Sequence, residues 1–143
     1  MINLFEPNIG YQSLEQLNEV FTSKWLGRGD LVGLFEDKLS KFMNIKKNFH
    51  TISSCSDAII GSFQLFDFKP DDEIIIPTNS FPVISSGAIL NGLKPVLVDI
   101  DPVTGNIDFE SCKNALSVKT KAIYITHYGG IPVDIPKIGR AHV

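Results

Sequence analysis

Three short polar stretches in this sequence have residue types that could bind a ligand, and each lies at the end of a predicted strand. The first is Ser53-Ser-Cys-Ser-Asp57, whose small side chains precede a helix-forming run and leave backbone N–H groups accessible. Such donors, together with the positive end of the helix dipole, suit a phosphate group. Plain capping of the helix by Ser56 is the alternative, and local sequence taken by itself favours it.

The second and third stretches contain an aromatic ring and an imidazole. Phe81 ends Pro77-Thr-Asn-Ser-Phe81 and could lie against a flat ligand ring or, more commonly for such a side chain, in the core. His127, in Thr126-His-Tyr-Gly-Gly130, could act as an acid or base, although a histidine held by backbone hydrogen bonds is the commoner case. Ligands of open α/β sheets bind where strands end, so the three stretches together indicate one site.

Alternating helices and short apolar strands must position these stretches. Ser13 and Gln16 form a capping box that predicts an amphipathic helix over 13–23, and Asp30 can cap a second helix. Unbroken apolar strands separated by helices predict one α/β domain whose parallel sheet is covered on both faces. Strands are predicted at Phe49–Ser53, Glu73–Pro77, Pro95–Ile100 and Ala122–Thr126, and further helices from Ser56, over 82–91 up to a stop at Gly92, and near 108–116.

Composition and charge exclude several classes of protein. The 143 residues are 43% hydrophobic and have a net charge of −3, which is typical of a globular domain without a nucleic-acid partner. No apolar run reaches the roughly 18 residues of a membrane span, and the N-terminus lacks the basic region of a signal peptide, so we expect a cytoplasmic protein. Cys55 and Cys112 are too few for a disulfide framework and badly spaced for a metal site. Gly27-Arg-Gly29 lies between two predicted helices and is therefore not a dinucleotide fingerprint.

Several motifs occur in an order that one protein family shares. They are Trp25–Gly29 followed by Phe35-Glu36, Ser54–Ile59, Pro70–Pro77, Ser80-Phe81, Gly92–Asp101, Lys119–Ile123 and His127–Asp134. This series resembles the N-terminal part of the DegT/DnrJ/EryC1/StrS family, the sugar aminotransferases that use pyridoxal phosphate. The resemblance covers nearly the whole chain, up to about Lys137.

The resemblance implies a fold, a cofactor and the residues that bind it. The fold would be the N-terminal part of the large domain of the type I, aspartate aminotransferase-like fold, with a mostly parallel sheet and helices on both faces. Cys55, Ser56 and Asp57 take the positions that hold the phosphate of pyridoxal 5′-phosphate. Phe81 takes the place of the aromatic residue that stacks on its pyridine ring.

The resemblance also implies partners. The family moves an amino group from glutamate or glutamine to a keto-sugar nucleotide and is generally homodimeric. Gly27, Arg28 and Gly29 fall where the family approaches the substrate or the partner subunit. A sugar dehydratase that uses the same cofactor with histidine in place of lysine, and a non-catalytic regulatory homologue, are the alternatives.

Two positions depart from the family's pattern, and its catalytic residues are missing. Cys55 stands where the family has glycine, and Ile84 stands where many members have threonine. The Schiff-base lysine and the aspartate that pairs with the pyridine nitrogen lie in the family's sequence beyond this segment, and Lys137 precedes that region. We therefore expect a fragment that has no catalytic residue or metal of its own and is inactive alone.

The end of the chain departs from the family as well. Ile138-Gly-Arg-Ala-His-Val143 is what the opening of a common sequencing adapter encodes, which predicts a native segment of 1–137 followed by a non-native tail in which Arg140 and His142 have no function. In the family fold, strands from the missing half separate the first strand, here 49–53, from the next three. We therefore expect the isolated chain to aggregate or to stay partly molten.

Overall fold

The computed structural model describes residues 6–46 and 49–139. The chain divides into two compact units, one over residues 1–51 and one over residues 52–143.

The first unit contains a helix, α1, over Gln12–Ser23. The predicted helix is confirmed, but the predicted capping box of Ser13 and Gln16 is wrong: the N-cap is Tyr11, and no side chain caps the helix. Because the helix begins before Ser13, that residue lies in the first turn, where its N–H donates to the carbonyl of Gly10.

The second helix of this unit, α2, spans Asp30–Phe42. The prediction that Asp30 caps it is wrong, because Asp30 is already helical and Gly29, which has no side chain to offer, is the N-cap. In the first turn the Asp30 carboxylate still interacts favourably with the helix dipole.

Both helices of the first unit have apolar sides that remain exposed. On α1 no residue is buried, and on α2 the buried residue is Glu36. The exposed apolar residues of the two helices include Leu14, Leu17, Phe21, Leu31, Leu34, Phe35 and Phe42.

The second unit is built on a three-stranded parallel sheet. Strand β1 (Glu73–Pro77) lies between β2 (Lys94–Val98) and β3 (Thr120–Ile123), in the order β2-β1-β3. Every residue of β1 is buried, as expected for a central strand covered on both faces.

The side chains of β1 alternate between two apolar clusters. Cluster 1 consists of Phe63, Ile74, Ile76, Ile84, Ala88 and Leu93, and cluster 2 of Ile75, Val98, Ile107, Cys112 and Ile138. Helices α3 (Cys55–Gln64) and α4 (Val83–Leu90) cover the first face, and α5 (Phe109–Asn114) and α6 (Ile135–Gly139) cover the second. A short 3₁₀ turn occupies Tyr128–Gly130.

Several predicted bounds change in this unit. Residues 49–53 are not a strand, so that prediction is wrong. A strand needs a hydrogen-bonded neighbour, and within the described residues no strand pairs with this segment. The strands predicted at 95–100 and 122–126 begin earlier and end earlier, at 94–98 and 120–123. The helix after 82 is confirmed, and Gly92, at φ +74°, follows its end.

None of the helices in the described part of the chain has the length and apolarity that a membrane crossing requires. Ile138, which the sequence assigns to a non-native tail, is buried in cluster 2. Residues 140–143 lie outside the described residues, and the tail stays a prediction.

Candidate functional site

The first predicted stretch forms the beginning of α3. Ser54, and not Ser56, is the N-cap: its Oγ accepts a hydrogen bond from the Asp57 N–H at 3.1 Å. The N–H groups of Cys55 and Ser56 belong to the first turn and therefore have no partner within the helix. Two backbone donors at the positive end of the α3 dipole thus remain available to an anion.

The Asp57 side chain shapes this loop. Its Oδ2 accepts hydrogen bonds from the hydroxyls of Ser53, at 2.6 Å, and Ser54, at 2.8 Å. These two bonds hold the pKa of Asp57 below its ordinary value. Because an ionised carboxylate repels a phosphate, the side chain of Asp57 acts by ordering Ser53 and Ser54, and only main-chain and hydroxyl groups of the loop suit an anionic ligand.

The second stretch follows β1 at the carboxyl edge of the sheet. Phe81 is outside both apolar clusters, and its side chain is 67% exposed. The Oγ of Ser80 lies 3.3 Å from the Oγ1 of Thr126, which follows β3. This contact brings the second and third stretches together, and the exposure of Phe81 fits a ring available to a ligand better than a core residue.

The third stretch contains His127, whose Nδ1 accepts a hydrogen bond from the Val133 N–H at 3.0 Å. The imidazole is therefore held by the backbone, as the sequence favours. In the neutral ring this bond places the proton on Nε2.

A buried asparagine organises the loops beside these stretches. Asn106 accepts from the Tyr128 N–H at 2.9 Å and donates to the carbonyl of Ile131 at 3.0 Å. Gly105, at φ +70°, precedes it, and a Cβ at that position would lie 2.8 Å from the Tyr128 ring. Sequence reasoning missed Asn106, because its partners lie 22 and 25 residues away; the Gly105-Asn106 pair after β2 was the available signal.

Tyr124 precedes the third stretch, and its phenol feels the charge of Cys55 in the first. This residue follows β3 and is half-buried, and both its burial and the charge of Cys55 raise its pKa. Cys55 itself is an exposed free thiol, whereas Cys112 is buried in cluster 2, where burial and then the charge of Asp108 raise the pKa of its thiol.

The predicted loop of Gly27, Arg28 and Gly29 belongs to the first unit. The Arg28 guanidinium donates to Glu36 Oε2 at 2.7 Å, and Oε1 of Glu36 accepts from both the N–H and the hydroxyl of Thr51 at 2.7 and 2.8 Å. The bonds from Thr51, followed by the charge of Arg28, lower the pKa of Glu36. Glu36 therefore ties the loop to the end of the first unit.

Residues 6–46 and 49–139 contain no cluster of three or more His, Cys, Asp or Glu side chains that could hold a metal ion.

Comparison with known proteins decides the family. The model of the DegT/DnrJ/EryC1/StrS aminotransferase family matches residues 7–141. The chain belongs to this family. The match includes the three polar stretches and the Gly27–Gly29 loop.

Curated and solved relatives support the same family assignment. The chain is 31% identical, over 96% of its length, to dTDP-4-dehydro-2,3,6-trideoxy-D-glucose 4-aminotransferase of Saccharopolyspora spinosa, of which it covers 36%. Its structure is similar to the aminotransferase TlmJ from Streptoalloteichus hindustanus, with a TM-score of 0.86, 32% identity, and coverage of 98% of this chain and 38% of TlmJ. It is also similar to GDP-4-keto-6-deoxymannose-3-dehydratase solved with a trapped PLP-glutamate geminal diamine, with a TM-score of 0.89, 29% identity, and coverage of 97% and 37%.

These similarities confirm the expected fold, the N-terminal part of the aminotransferase large domain, and the chain spans little more than a third of the length of these relatives.

Proposed function

We propose that the full-length protein containing this DegT-family segment is a pyridoxal-phosphate-dependent aminotransferase. It transfers an amino group from glutamate or glutamine to a keto-sugar nucleotide and acts as a homodimer. Family membership and the similarity to sugar aminotransferases support this proposal. The observation that carries it is the beginning of α3, where two backbone donors are available in the same unit as the exposed ring of Phe81.

The residues at the beginning of α3 fit the phosphate of this cofactor. The N–H groups of Cys55 and Ser56 would bind its oxygens, and Ser56 adds a hydroxyl. The Asp57 carboxylate accepts hydrogen bonds from the hydroxyls of Ser53 and Ser54, so two donors already bind its charged oxygen. Cys55 is exposed, so its thiol does not fill an enclosed space at the loop.

Phe81 would cover one face of the pyridine ring, because its side chain lies free of both apolar clusters. Bound pyridoxal phosphate supplies an electron sink and carries the transferred amino group. The part of this chain is to bind and orient the cofactor: the α3 donors fix the phosphate, and the aromatic ring limits rotation of the flat group about it.

A substitution that removes one N–H group tests the proposed phosphate site at the beginning of α3. Cys55→Pro deletes the donor at the first helical position, where proline is well tolerated. The preceding residue, Ser54, already has the extended backbone (φ −152°, ψ 159°) that proline requires of its predecessor. In the full-length protein we expect Cys55→Pro to weaken binding of pyridoxal phosphate roughly tenfold, the loss of one hydrogen bond to a charged group.

Cys55→Ala is the matched control, because it removes the thiol and keeps the N–H group. Absorbance titration of each apoprotein variant with pyridoxal phosphate measures its affinity for the cofactor. Equal affinities of Cys55→Pro and Cys55→Ala would contradict the proposed phosphate site. Incubation of the wild type with keto-sugar nucleotides and ¹⁵N-labelled glutamate or glutamine, followed by mass spectrometry of the sugar, tests amino transfer itself.

A sugar dehydratase is the second candidate, favoured by the similarity to GDP-4-keto-6-deoxymannose-3-dehydratase. The two candidates differ in the product: an aminotransferase adds labelled nitrogen to the sugar, whereas a dehydratase removes a hydroxyl and adds none. They also differ at the catalytic position outside this segment, where the family resemblance implies lysine for the first and histidine for the second.

A further inference from the structure

Tyr124 extends β3 at the carboxyl edge of the sheet. Its N–H donates to the carbonyl of Ile75 at 2.8 Å, so the parallel ladder continues past the last residue of β3. Side chains alternate between the two faces of a strand. Accordingly, Ala122 and Tyr124 pack against cluster 1, whereas Ile123 and Ile125 pack against cluster 2. Tyr124 therefore lies on the face that α3 and α4 cover.

This position places Tyr124 on the same face as α3, and the charge of Cys55, the first residue of α3, acts on its phenol. Ile59, in the second turn of α3, and Val83, the first residue of α4, pack against the same cluster as Tyr124. Thr126 is the next residue along this face and lies 3.3 Å from Ser80. Tyr124 thus shares a face of the sheet with α3 and lies two residues before Thr126, which contacts the second stretch.

The hydroxyl of Tyr124 has no hydrogen-bond partner among residues 6–46 and 49–139. The ring is half-buried, but the hydroxyl is not enclosed, because no buried side-chain oxygen or nitrogen of the described residues lacks a partner. The hydroxyl is therefore open to solvent and to a ligand. Burial, and then the charge of Cys55, raise the pKa of this phenol, so it stays protonated at neutral pH and is an O–H donor.

We propose that the hydroxyl of Tyr124 donates a hydrogen bond to the cofactor phosphate, beside the backbone donors of Cys55 and Ser56. This inference rests on the proposed function. The amide of Asp57 is already used by Ser54, so the α3 turn supplies two free amides to a group with three terminal oxygens. A phenol from the neighbouring strand supplies a further donor.

A tyrosine that only packs would work equally well as phenylalanine. Tyr124→Phe keeps the ring against cluster 1 and deletes one oxygen, so it separates the two roles. Tyr11→Phe is the matched control, because Tyr11 is 75% exposed and lies in the first unit.

The experiment compares two ligands on the full-length apoprotein. Pyridoxal phosphate and pyridoxal differ only in the phosphate group, so the ratio of their apparent Kd values reports the phosphate contact and is insensitive to general effects on the ring site. For Tyr124→Phe we expect about tenfold weaker binding of pyridoxal phosphate, unchanged binding of pyridoxal, and a displaced ³¹P resonance of the bound phosphate. Tyr11→Phe should match the wild type in all three.

Each outcome has one meaning. Equal affinity of Tyr124→Phe and wild type for pyridoxal phosphate overturns the role of Tyr124 and leaves the proposed function intact. An equal loss for pyridoxal phosphate and pyridoxal also overturns it, because the hydroxyl would then act on the ring site. Wild-type protein that binds no pyridoxal phosphate overturns the proposed function, and this inference with it.

Discussion

In the second unit β1 is buried along its whole length between two apolar clusters, whereas in the first unit the apolar sides of α1 and α2 are exposed and the buried residue of α2 is Glu36. Both regions have amphipathic elements, so periodicity alone does not distinguish them. The difference lies in what the helices pack against. Helices α3 to α6 pack on a sheet, whereas the described residues of the first unit (6–46 and 49–51) contain no sheet for α1 and α2 to cover.

This contrast separates two sources of order. Apolar burial stabilises the second unit and fixes the edge at which the second and third polar stretches meet. In the first unit the Glu36 carboxylate connects distant parts of the chain, because it accepts hydrogen bonds from both Arg28 and Thr51. The apolar stripes of α1 and α2 contribute to stability only as far as other parts of the full-length protein cover them.

The largest expected effect comes from the core of the sheet. Ile75 is fully buried at the centre of β1, and Ile75→Ala should lower the free energy of unfolding by about 2–5 kcal/mol through the cavity it leaves. Leu14→Ala, at a position on α1 that is 52% exposed, should change it by no more than about 0.5 kcal/mol.

Urea unfolding of the full-length variants measures both of these changes. If Leu14→Ala cost as much as Ile75→Ala, the contrast would fail, and the α1 stripe would have to be buried by residues outside this segment.

A second test compares glycines of the two units. Gly105 has φ +70°, and a Cβ there would lie 2.8 Å from the Tyr128 ring, so Gly105→Ala should destabilise the second unit by about 1–3 kcal/mol. Gly33 lies within α2 with no atom near a new Cβ, so Gly33→Ala should stabilise the first unit by about 0.5–1 kcal/mol. Hydrogen exchange shows in which unit each substitution changes the stability. We expect the two changes in stability to have opposite signs, and a stabilising Gly105→Ala would contradict the loop geometry.

Elements with a strong local pattern could be predicted from the sequence. In β1 three isoleucines follow the turn at Asp71 and Asp72, and Gly92, with its positive φ, follows the end of α4. Residues 49–53 show the opposite case: Phe49 and Ile52 fit a short strand locally, but a strand exists only with a neighbour. The error in the α3 cap, at Ser54 instead of Ser56, is a local one, because several serines in a row can each serve as a cap.

The candidate site divides in the same way. The small residues before α3 and the ring of Phe81 are visible as sequence stretches, and the structure describes both in one unit. The partners of Asn106 and the hydrogen bonds between Glu36 and Thr51 could not be predicted, because single polar residues paired across 15 or more positions leave no periodic signal. Cofactor binding by Cys55, Ser56, Asp57 and Phe81 stays a prediction.

A smaller effect concerns cofactor binding by the second unit. Phe81→Ala should weaken the affinity of the full-length protein for pyridoxal phosphate about two- to tenfold, the value of an aromatic contact of about 0.5–1.5 kcal/mol. Phe42→Ala removes a ring that is 85% exposed on α2 and should leave the affinity unchanged. Fluorescence titration gives both values, and an unchanged Kd for Phe81→Ala would remove this residue from the site.

The smallest effect is a difference in pH dependence between the units. Thr51 and Arg28 lower the pKa of Glu36 from its ordinary 4.5, and Ser117 and Lys94 lower that of Glu73 in the same way. A carboxyl group whose pKa is lower in the folded state stabilises the protein above its unfolded pKa, and this stability is lost as the pH falls through the folded pKa. The contribution is small because Arg28 and Lys94 are both largely exposed to solvent.

Glu36→Gln should therefore reduce the acid-induced loss of protection in the first unit below about pH 4.5, and Glu73→Gln should do so in the second. Hydrogen exchange of the full-length protein between pH 7 and 3 resolves the two units, with Glu15→Gln on the exposed side of α1 as control. A Glu36→Gln variant that alters the second unit and leaves the first unchanged would show that the tie to Thr51 does not order the first unit. If each substitution changes protection only in its own unit, the hydrogen bonds of Glu36 and the buried sheet stabilise the two units independently.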